Sequence, residues 1–246
     1  MQYLFVHEDR EYVAQPGEEL HSDLGVLTIP ESITPGEVIE THLGEPFEAR
    51  RLRGPDLFHH LQRTGAPMLP RDIGLIIGHT GIERSDCVLD TGTGSGVLAA
   101  YLGRVGAEVV SYERDSEFVE VARENMETAG VTANVSIRAA DLSDELDTEF
   151  EKAPFDVFTL DTGDASSLIT AAPDILSPGG FVAAYSPFIE QTRNIAQNAA
   201  DVGLSEIQTY ETIQREMEFG DRGSRPSTAG VGHSGYLTFA RYHPSQ

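Results

Sequence analysis

A glycine-rich segment between a short apolar run and an amphipathic pattern carries the clearest chemical signal in this 246-residue sequence. Residues 88–98 read VLDTGTGSGVL, with glycines at the alternate positions Gly92, Gly94 and Gly96. A buried strand, a tight turn and a helix N-terminus in this order let the backbone approach a ligand closely. A dinucleotide-binding turn would read G-x-G-x-x-G, whereas position 97 is valine. The spacing suits a cofactor whose amino-acid end and ribose lie over the turn, as in S-adenosylmethionine; a glycine-rich turn of another α/β protein is the alternative.

Carboxylates follow the next strands of the predicted sheet. Glu113 ends the second strand, 21 residues after Gly92, and Asp141 comes just after the third. A carboxylate where Glu113 lies can accept hydrogen bonds from both ribose hydroxyls, and Asp141 is placed to meet the exocyclic amine of an adenine. Each of these two carboxylates alone is also compatible with an ordinary solvent-exposed residue. Because these strand ends share one edge of the sheet, the sequence predicts an adenosyl-binding site there.

Asp161 ends the fourth predicted strand, opposite the expected position of the cofactor's methyl group. Its carboxylate would accept a hydrogen bond from a base amine and stabilise positive charge developing on the ring. The alternative is a helix cap for the segment that follows, for which Asp164 is the better candidate. The expected catalytic residue is therefore Asp161. The expected cofactor contacts are Gly92, Thr93, Gly94, Ser95, Gly96, Val97, Glu113, Asp141, Leu142 and Asp161.

Basic side chains gather in the polar segment 220–235, which contains Arg222, Arg225 and His233. In so acidic a protein, arginines in a loop are candidates for contact with phosphate groups. A solvent-exposed hairpin tip without a ligand is the alternative. With Tyr185, at the end of the fifth predicted strand, these three residues are the expected substrate contacts.

The remaining reactive side chains predict neither a metal site nor a disulfide. His59 and His60 are adjacent on a predicted helix, so their side chains diverge by about 100° and indicate surface or packing roles. Cys87 is the only cysteine and cannot form an internal disulfide. Its place before an apolar strand indicates a small buried hydrophobic residue.

Two regions are predicted to position these residues. Residues 1–64 show short alternating stretches broken by proline and glycine, which is typical of a small β-rich module. Strand and helix patterns alternate through residues 65–246, which predicts an α/β, Rossmann-like doubly wound sheet that ends in an antiparallel hairpin. The predicted strands are 87–90, 108–113, 135–139, 156–160, 181–185, 207–213 and 236–241.

The predicted helices occupy the intervals between these strands. They are 97–102, a helix capped by Asp115 or Ser116, 168–175 and 186–202. Residues 178–180, Pro-Gly-Gly, are expected to stop the third of these. Residues 141–151 contain six carboxylates, of which the five other than Asp141 are predicted to be solvated.

The charge balance is unusual for a folded protein. Asp and Glu total 40 against 17 Lys and Arg, a net charge of −23, and Lys152 is the only lysine. An acidic surface nearly free of lysine indicates adaptation to concentrated salt, which screens its self-repulsion. Residues 2–20 are mostly polar and no apolar run approaches the roughly 18 residues of a membrane span. We therefore expect a halophilic, cytoplasmic protein without membrane association.

Several motifs along the chain resemble those of the tRNA (adenine-N1)-methyltransferases of the TrmI type. The glycine turn is similar to the V-L-E-A-G-T-G-S-G-x-L of that family, with Asp90 in place of glutamate. The ending is the most specific match, being similar to R-P followed by H-T-G-Y-x-x-F-A-R. The matching segments are HSDLGV at 21–26, LPRDI at 69–73, VSYE at 110–113, GGFVAAYSP at 179–187, RP at 225–226 and HSGYLTFAR at 233–241.

The resemblance implies that the Rossmann-like domain has the class I methyltransferase fold. It also implies a homotetramer that uses S-adenosylmethionine to methylate N1 of a T-loop adenosine of tRNA, at position 58 or else 57. It assigns Glu113 and Asp141 to the ribose and adenine of the cofactor, and Asp161 to catalysis. One departure is that residues 162–165 read TGDA where the family has L/V-P-x-P. Two alternatives stay open: a non-catalytic RNA-binding subunit of a methyltransferase complex, and a related protein or small-molecule methyltransferase.

Overall fold

The N-terminal part of the computed structural model, which describes residues 2–230 and 232–244, is built from two antiparallel sheets. One has the strand order β2-β1-β6-β5 and the other pairs β3 with β4. Phe5 and Phe47 are fully buried between them. The β-rich prediction is confirmed, although β3 and β5 were not predicted. The strands are β1 Tyr3–His7, β2 Arg10–Ala14, β3 Glu19–Ser22, β4 Gly25–Thr28, β5 Val38–Glu40 and β6 Pro46–Arg51.

A seven-stranded sheet forms the rest of the fold. Its strands are β7 Cys87–Thr91, β8 Glu108–Glu113, β9 Val135–Ala139, β10 Phe155–Leu160, β11 Leu176–Ser186, β12 Ser205–Glu211 and β15 Tyr236–Arg241. The order is β12-β15-β11-β10-β7-β8-β9, in which β7 to β11 are mutually parallel and β15 is antiparallel to both neighbours. The predicted doubly wound sheet with an antiparallel end is confirmed. Successive crossovers diverge between β7 and β10, where such sheets bind ligands.

Helices cover both faces of this sheet. They are α1 Gly54–His60, α2 Pro70–Thr80, α3 Val97–Val105, α4 Ser116–Ala129, α5 Leu142–Phe150, α6 Ala165–Leu168, α7 Ala172–Ile175 and α8 Ile189–Asp201, with a 3-10 turn at Ile169–Ala171. The apolar faces of α1 to α4 pack on one side, with Leu57, Ile73 and Met126 buried. Those of α5 to α8 pack on the other, with Leu142 and Ile195 buried. Successive side chains of each strand point to opposite faces of the sheet, so each strand contributes to both buried clusters.

The N-terminal strands contribute to the larger core as well. Leu4 and Val6 of β1 lie in the same buried cluster as Ile73 of α2. The division into 1–64 and 65–246 stays a prediction, because this shared core crosses it. Residues 1, 231, 245 and 246 of those ranges, including position 231 of the 220–235 segment, lie outside the described residues. In the described part of the chain, no helix is long and apolar enough to cross a membrane.

Two local predictions are wrong around residues 165–180. The region predicted as one helix at 168–175 consists of α6, the 3-10 turn and α7. The helical segment ends at Ile175, as predicted, but the Pro-Gly-Gly at 178–180 is not its stop, because it lies inside β11, where the pairing with β10 shifts register. A Cβ at Gly180 would lie 2.9 Å from the carbonyl oxygens of Asp156 and Ser177. Close approach of backbones therefore requires that glycine in the strand.

The acidic segment after β9 folds as α5 and buries one of its carboxylates. Residues 142, 146, 149 and 150 share one helix face, so Glu149 turns inward and is fully buried. Its Oε1 accepts hydrogen bonds of 2.6 Å from both the Tyr112 hydroxyl and Lys152 Nζ, and Arg138 lies at 3.5 Å. The prediction that all five carboxylates are solvated is wrong for Glu149, because this residue lies on the face of α5 that packs against the core.

The polar segment between β12 and β15 also contains structure that was not predicted. Strands β13 Met217–Gly220 and β14 Gly223–Pro226 form a separate antiparallel hairpin, and every residue of both is exposed. We call this unit the basic hairpin, because its tip and second strand carry Arg222 and Arg225.

Candidate cofactor and substrate site

The glycine turn connects β7 to α3 in left-handed backbone conformations. Gly92, Gly94 and Gly96 have φ values of +84°, +54° and +76°, which strain any residue with a side chain. A Cβ at Gly92 would overlap the carbonyl oxygen of Asp161, so glycine lets the end of β10 pass directly beside the turn. A Cβ at Gly96 would lie 2.8 Å from Met126 Cε. The turn is thus shaped by its own neighbours before any ligand is considered.

Asp90, two residues before the turn, ties three strands together. Its two carboxylate oxygens accept hydrogen bonds from the hydroxyls of Ser111 in β8 and Thr159 in β10. The side chain is almost completely buried, and this burial raises the pKa of its carboxyl group. Asp90 therefore has a structural role, since it joins the three strands that support the turn.

Glu113 closes the turn from the end of β8. Its Oε2 accepts a hydrogen bond of 2.9 Å from the backbone N–H of Gly94, and its Oε1 accepts one of 3.0 Å from that of Asp115. Asp115 is the N-cap of α4, as one of the two predicted alternatives had it. Each oxygen of Glu113 keeps a lone pair free, so a hydroxyl-bearing ligand over the turn can still donate to it.

One cavity of about 460 Å³ joins the predicted cofactor residues. Its walls come from the glycine turn, the ends of β8 and β10, and a connecting segment between α1 and α2. The lining residues that were predicted are Gly92, Thr93, Gly94, Ser95, Val97, Glu113 and Asp161. Gly96 does not line it, because it faces α4 beneath the turn.

The segment 64–68 forms the opposite wall and was not predicted. The backbone N–H of Thr64 donates to Ser95 Oγ at 2.9 Å, and the two hydroxyl oxygens lie 3.1 Å apart. Gly65, Ala66 and Pro67 follow along the cavity. The irregular run G-A-P between two helical patterns was the only sequence signal for this wall, and it indicated no particular chemistry.

Asp141 and Leu142 lie in a smaller recess that adjoins Glu113 and Thr162. Asp141 is the N-cap of α5, and its Oδ1 accepts a hydrogen bond of 2.9 Å from the Ser143 backbone N–H. This hydrogen bond, with Arg114 at 3.6 Å, lowers the pKa of the Asp141 carboxyl group. Leu142 is fully buried. Asp141 thus has a structural role as a cap and also faces the edge of the predicted adenine position.

Asp161 lies at the floor of the cavity. Its backbone N–H donates to the Thr91 carbonyl at 2.9 Å, which continues the pairing of β10 with β7. Burial raises the pKa of its carboxyl group to about 7, with further increases from the negative charges of Asp90 and Glu113. A carboxyl group with this pKa is only partly ionised near neutral pH, so a neighbouring positive charge would shift it toward the ionised form.

Asp164 occupies the N-cap position of α6, but its side chain makes no capping hydrogen bond. It lies instead 3.3 Å from Arg114, which also reaches Asp141. The prediction that Asp164 caps this helix is therefore right for the position and wrong for the side chain, since the nearby guanidinium attracts the carboxylate.

Tyr185 and His233 both lie near the end of β11, without a direct contact between them in the described residues. The Tyr185 hydroxyl donates to the Ser234 carbonyl, and a Cβ at Gly235 would lie only 2.5 Å from the tyrosine ring. Burial raises the pKa of the Tyr185 hydroxyl to about 12, with smaller effects of Asp161 and Asp72. His233 lies 2.7 Å from Glu211, which raises the pKa of its imidazole.

A polar cluster below Tyr185 was not predicted. Ser234 Oγ donates to Asp72 Oδ2 at 3.0 Å and accepts from Arg71 Nη2 at 2.9 Å. These contacts join the start of α2 to a segment 162 residues later in the chain. The motif L-P-R-D-I contained both α2 residues, but spacing alone could not pair them with Ser234.

Arg222 and Arg225 lie apart from this group, in the basic hairpin. Arg225 forms an ion pair of 3.1 Å with Glu218 across the hairpin. Arg222 forms no ion pair within the described residues. The structure therefore places only Tyr185 close to Asp161, while His233 lies on the surface beside Glu211 and the two arginines lie on the hairpin. No cluster of His, Cys, Asp or Glu suited to a metal ion occurs in residues 2–230 and 232–244.

Comparisons with known proteins agree with this geometry. A family model described as the tRNA methyltransferase complex GCD14 subunit matches residues 56–222. A tRNA (adenine(57)-N(1)/adenine(58)-N(1))-methyltransferase TrmI from Methanocaldococcus jannaschii is 33% identical over 253 residues, which cover 92% of this chain and 89% of that protein. A tRNA (adenine(58)-N(1))-methyltransferase TrmI from Thermus thermophilus is 29% identical and covers 84% of this chain and 81% of its own.

Solved structures give the same fold. A SAM-dependent O-methyltransferase from Thermotoga maritima superposes with a TM-score of 0.80 at 26% identity, covering 100% of this chain and 94% of that one. A tRNA (m1A58) methyltransferase TrmI from Aquifex aeolicus gives 0.74 at 22% identity, with coverages of 100% and 98%.

Proposed function

Because this chain belongs to the family of the tRNA methyltransferase complex GCD14 subunit, we propose that it transfers the methyl group of S-adenosylmethionine to N1 of an adenosine in tRNA. The membership agrees with the motif resemblance, and the TrmI relatives are named for this activity. The observation that carries the proposal is the single cavity in which the glycine turn, Glu113 and Asp161 meet.

The residues around the cavity fit the cofactor. S-adenosylmethionine supplies a methyl group on a positively charged sulfur. The left-handed glycines leave backbone close to the ligand, and Glu113 has acceptor capacity for ribose hydroxyls. Asp141 would face the adenine amine from its adjoining recess. The further contacts Thr93, Ser95, Val97 and Leu142 remain part of the proposal, whereas we assign Gly96 to packing beneath the turn.

The proposed chemistry needs alignment more than proton transfer. Adenine N1 is a neutral nucleophile, so holding it in line with the methyl group supplies most of the rate. The Asp161 carboxylate would accept a hydrogen bond from the adenine amine and offset the positive charge of the product. Because N1 lies on the Watson–Crick edge, the base must leave its stack at a cost of about a few kcal/mol. Tyr185 borders the space beside Asp161 in which the base would lie.

The decisive experiment is nucleoside mass spectrometry of tRNA after incubation with the protein and cofactor in molar salt. We expect 1-methyladenosine at T-loop position 58, with 57 as the alternative. Asp161→Ala should lower turnover by roughly 100- to 1,000-fold while leaving cofactor affinity nearly unchanged. Asp164→Ala, which removes an exposed carboxylate three residues away, serves as the control. A different methylated nucleoside, or full turnover in Asp161→Ala, would contradict the proposal.

We also propose that the chain assembles as a homotetramer. Strand β12 is an edge of the large sheet, and Ile213, two residues after this strand, is 62% exposed. Phe219, in the basic hairpin that follows, is 82% exposed. Exposed apolar residues beside an open strand edge are typical of protein interfaces. Light scattering after size exclusion should give four copies for the wild type and fewer for Phe219→Ser. A wild-type monomer at micromolar concentration would refute the assembly.

The acidic composition supports a halophilic, cytoplasmic setting. At a net charge of −23, dilution of salt should strengthen self-repulsion and weaken the contact with tRNA phosphates. Concentrated salt screens the self-repulsion of the protein and its repulsion from tRNA, while Arg222 can still contact a phosphate group directly. Thermal unfolding should move to higher temperature as potassium chloride rises toward molar concentration. A melting temperature independent of salt would count against this setting.

A further inference from the structure

The loop that follows Asp161 has little to hold it in place by itself. Residues 161–165 read DTGDA, and a Cβ at Gly163 would meet no atom within 4 Å. Asp161 is fixed on one side, because its N–H pairs with Thr91 and its carbonyl packs against Gly92. On the other side the Thr162 carbonyl already accepts a hydrogen bond of 3.2 Å from the Ala165 backbone N–H, and a side chain outside the loop supplies a second partner for it and one for the Gly163 carbonyl.

Gln191, in the first turn of α8, is that partner. Its Nε2 donates hydrogen bonds of 2.9 Å to the Thr162 carbonyl and 3.1 Å to the Gly163 carbonyl. Its Oε1 accepts one of 2.7 Å from Ser186 Oγ, at the end of β11. All polar atoms of this amide are therefore used to join the end of β11 to the loop.

We propose that Gln191 is a positioning residue for the Asp161 carboxylate, which it serves by bridging Ser186 and the two loop carbonyls. The inference deepens the proposed function and relies on it for the role of Asp161. Only a primary amide provides two donors and one acceptor at this place. Asp161, Thr162 and Gly163 all line the cofactor cavity, so movement of the loop would displace the cavity floor.

The environment of Asp161 provides a readout that does not need turnover. The carboxylate faces Asp90 from β7, Glu113 from β8 and Tyr185 from β11, and burial among them raises its pKa. Loss of the Gln191 bridge would admit water to the loop and lower that pKa. Carbon-13 NMR of labelled aspartate can follow the titration, with Asp161→Asn used to assign the signal.

The experiment compares Gln191→Ala and Gln191→Glu with Gln197→Ala, an exposed glutamine on the same helix. Two lost hydrogen bonds predict a kcat about tenfold lower for both Gln191 variants, since glutamate has no hydrogen to donate. Cofactor affinity should change less than about twofold, because no Gln191 atom lines the cavity. The Asp161 titration midpoint should fall in Gln191→Ala, whereas the added negative charge in Gln191→Glu opposes that fall. Gln197→Ala should match the wild type.

A second variant keeps the test decisive if Gln191→Ala does not fold. Ser186→Ala leaves the glutamine in place but removes the hydroxyl that orients it, and should lower kcat and the Asp161 midpoint by a smaller amount. Unchanged kcat and midpoint in the folded variants would overturn the inference. If the wild type makes no methylated adenosine, the proposed function fails, whereas the midpoint comparison still decides whether Gln191 positions Asp161.

Discussion

The two sides of the proposed site are built on opposite principles. On the cofactor side, Gly92 touches the Asp161 backbone and Glu113 is bonded to two backbone N–H groups. On the outer substrate side, every residue of the basic hairpin is exposed, and its ion pair joins Arg225 only to Glu218 in the same hairpin. The first is shaped by contacts within the chain, whereas the second extends into solvent.

This difference explains what each side can do. A turn shaped by its own neighbours presents backbone groups to a ligand without reorganisation, which favours precise alignment of a small cofactor. A projecting hairpin has few contacts that restrain it, so it can adapt to a large and irregular RNA. We therefore expect substitutions on the cofactor side to act through sterics, and those on the hairpin to act through charge.

The largest effect should come from a methyl group in the turn. Gly92→Ala places a Cβ onto the Asp161 carbonyl in a left-handed conformation. Overpacking of this kind costs about 1–3 kcal/mol, so cofactor affinity should fall by roughly 10- to 100-fold. Calorimetric titration with S-adenosylmethionine measures it.

Gly44→Ala provides the matched control for this prediction. Gly44 has a φ of +87°, close to that of Gly92, but a Cβ there would meet no atom within 4 Å. It therefore carries the same backbone strain without the overlap, and cofactor affinity should stay at the wild-type value. Equal loss in both variants would show that general destabilisation by backbone strain, and not overlap with Asp161, lowers the affinity.

The effect expected for the basic hairpin is smaller, and it acts through charge and not through sterics. Arg222→Glu should weaken tRNA binding by about tenfold at a fixed molar salt concentration, because one phosphate contact is lost. Cofactor affinity should not change. Arg84→Glu has the same change in charge on an exposed residue that precedes β7, at the amino end of that strand and so opposite to the glycine turn. If both variants lose the same tRNA affinity, net charge and not the hairpin is responsible.

A pH titration tests the electrostatics of the cofactor side. Asp161 has a pKa of about 7 in the free protein, and a cationic sulfonium favours its ionised form. A proton must therefore leave on binding at low pH, so affinity for S-adenosylmethionine should rise about fivefold from about pH 6 to about pH 8 and then level off. S-adenosylhomocysteine, whose sulfur is neutral, should show a weaker dependence, and Asp161→Asn should abolish it. Equal pH profiles for both ligands would show that the Asp161 carboxylate does not interact with the sulfonium.

The same contrast decides what could be predicted from the sequence. Strands β8 and β9 were predicted to the residue, and Glu113 and Asp161 were placed on one cavity, because apolar runs and glycine spacing report contacts within the chain. The wall at residues 64–68 was missed because it depends on the tertiary contact of Thr64 with Ser95. The basic hairpin was missed since exposed strands have no apolar alternation to reveal them.

Two ion pairs extend the comparison to stability, with the smallest expected effects. Lys152 contacts Glu149, whose Oε2 is buried without a hydrogen-bond partner, while Arg225 and Glu218 are both largely solvated. Lys152→Gln should lower the free energy of unfolding by about 1–2 kcal/mol, less than for a fully buried pair because the lysine is 39% exposed.

Arg225→Gln should change the free energy of unfolding by less than about 0.5 kcal/mol, as for other exposed pairs. Denaturant unfolding in molar salt measures both variants, and Lys152→Arg is the control that retains the charge. Because Glu149 also accepts from the Tyr112 hydroxyl next to Glu113, its pairing supports the strand behind the cofactor. Equal stability of the two glutamine variants would show that the interior frame and the exposed hairpin do not differ in the way their charges are held.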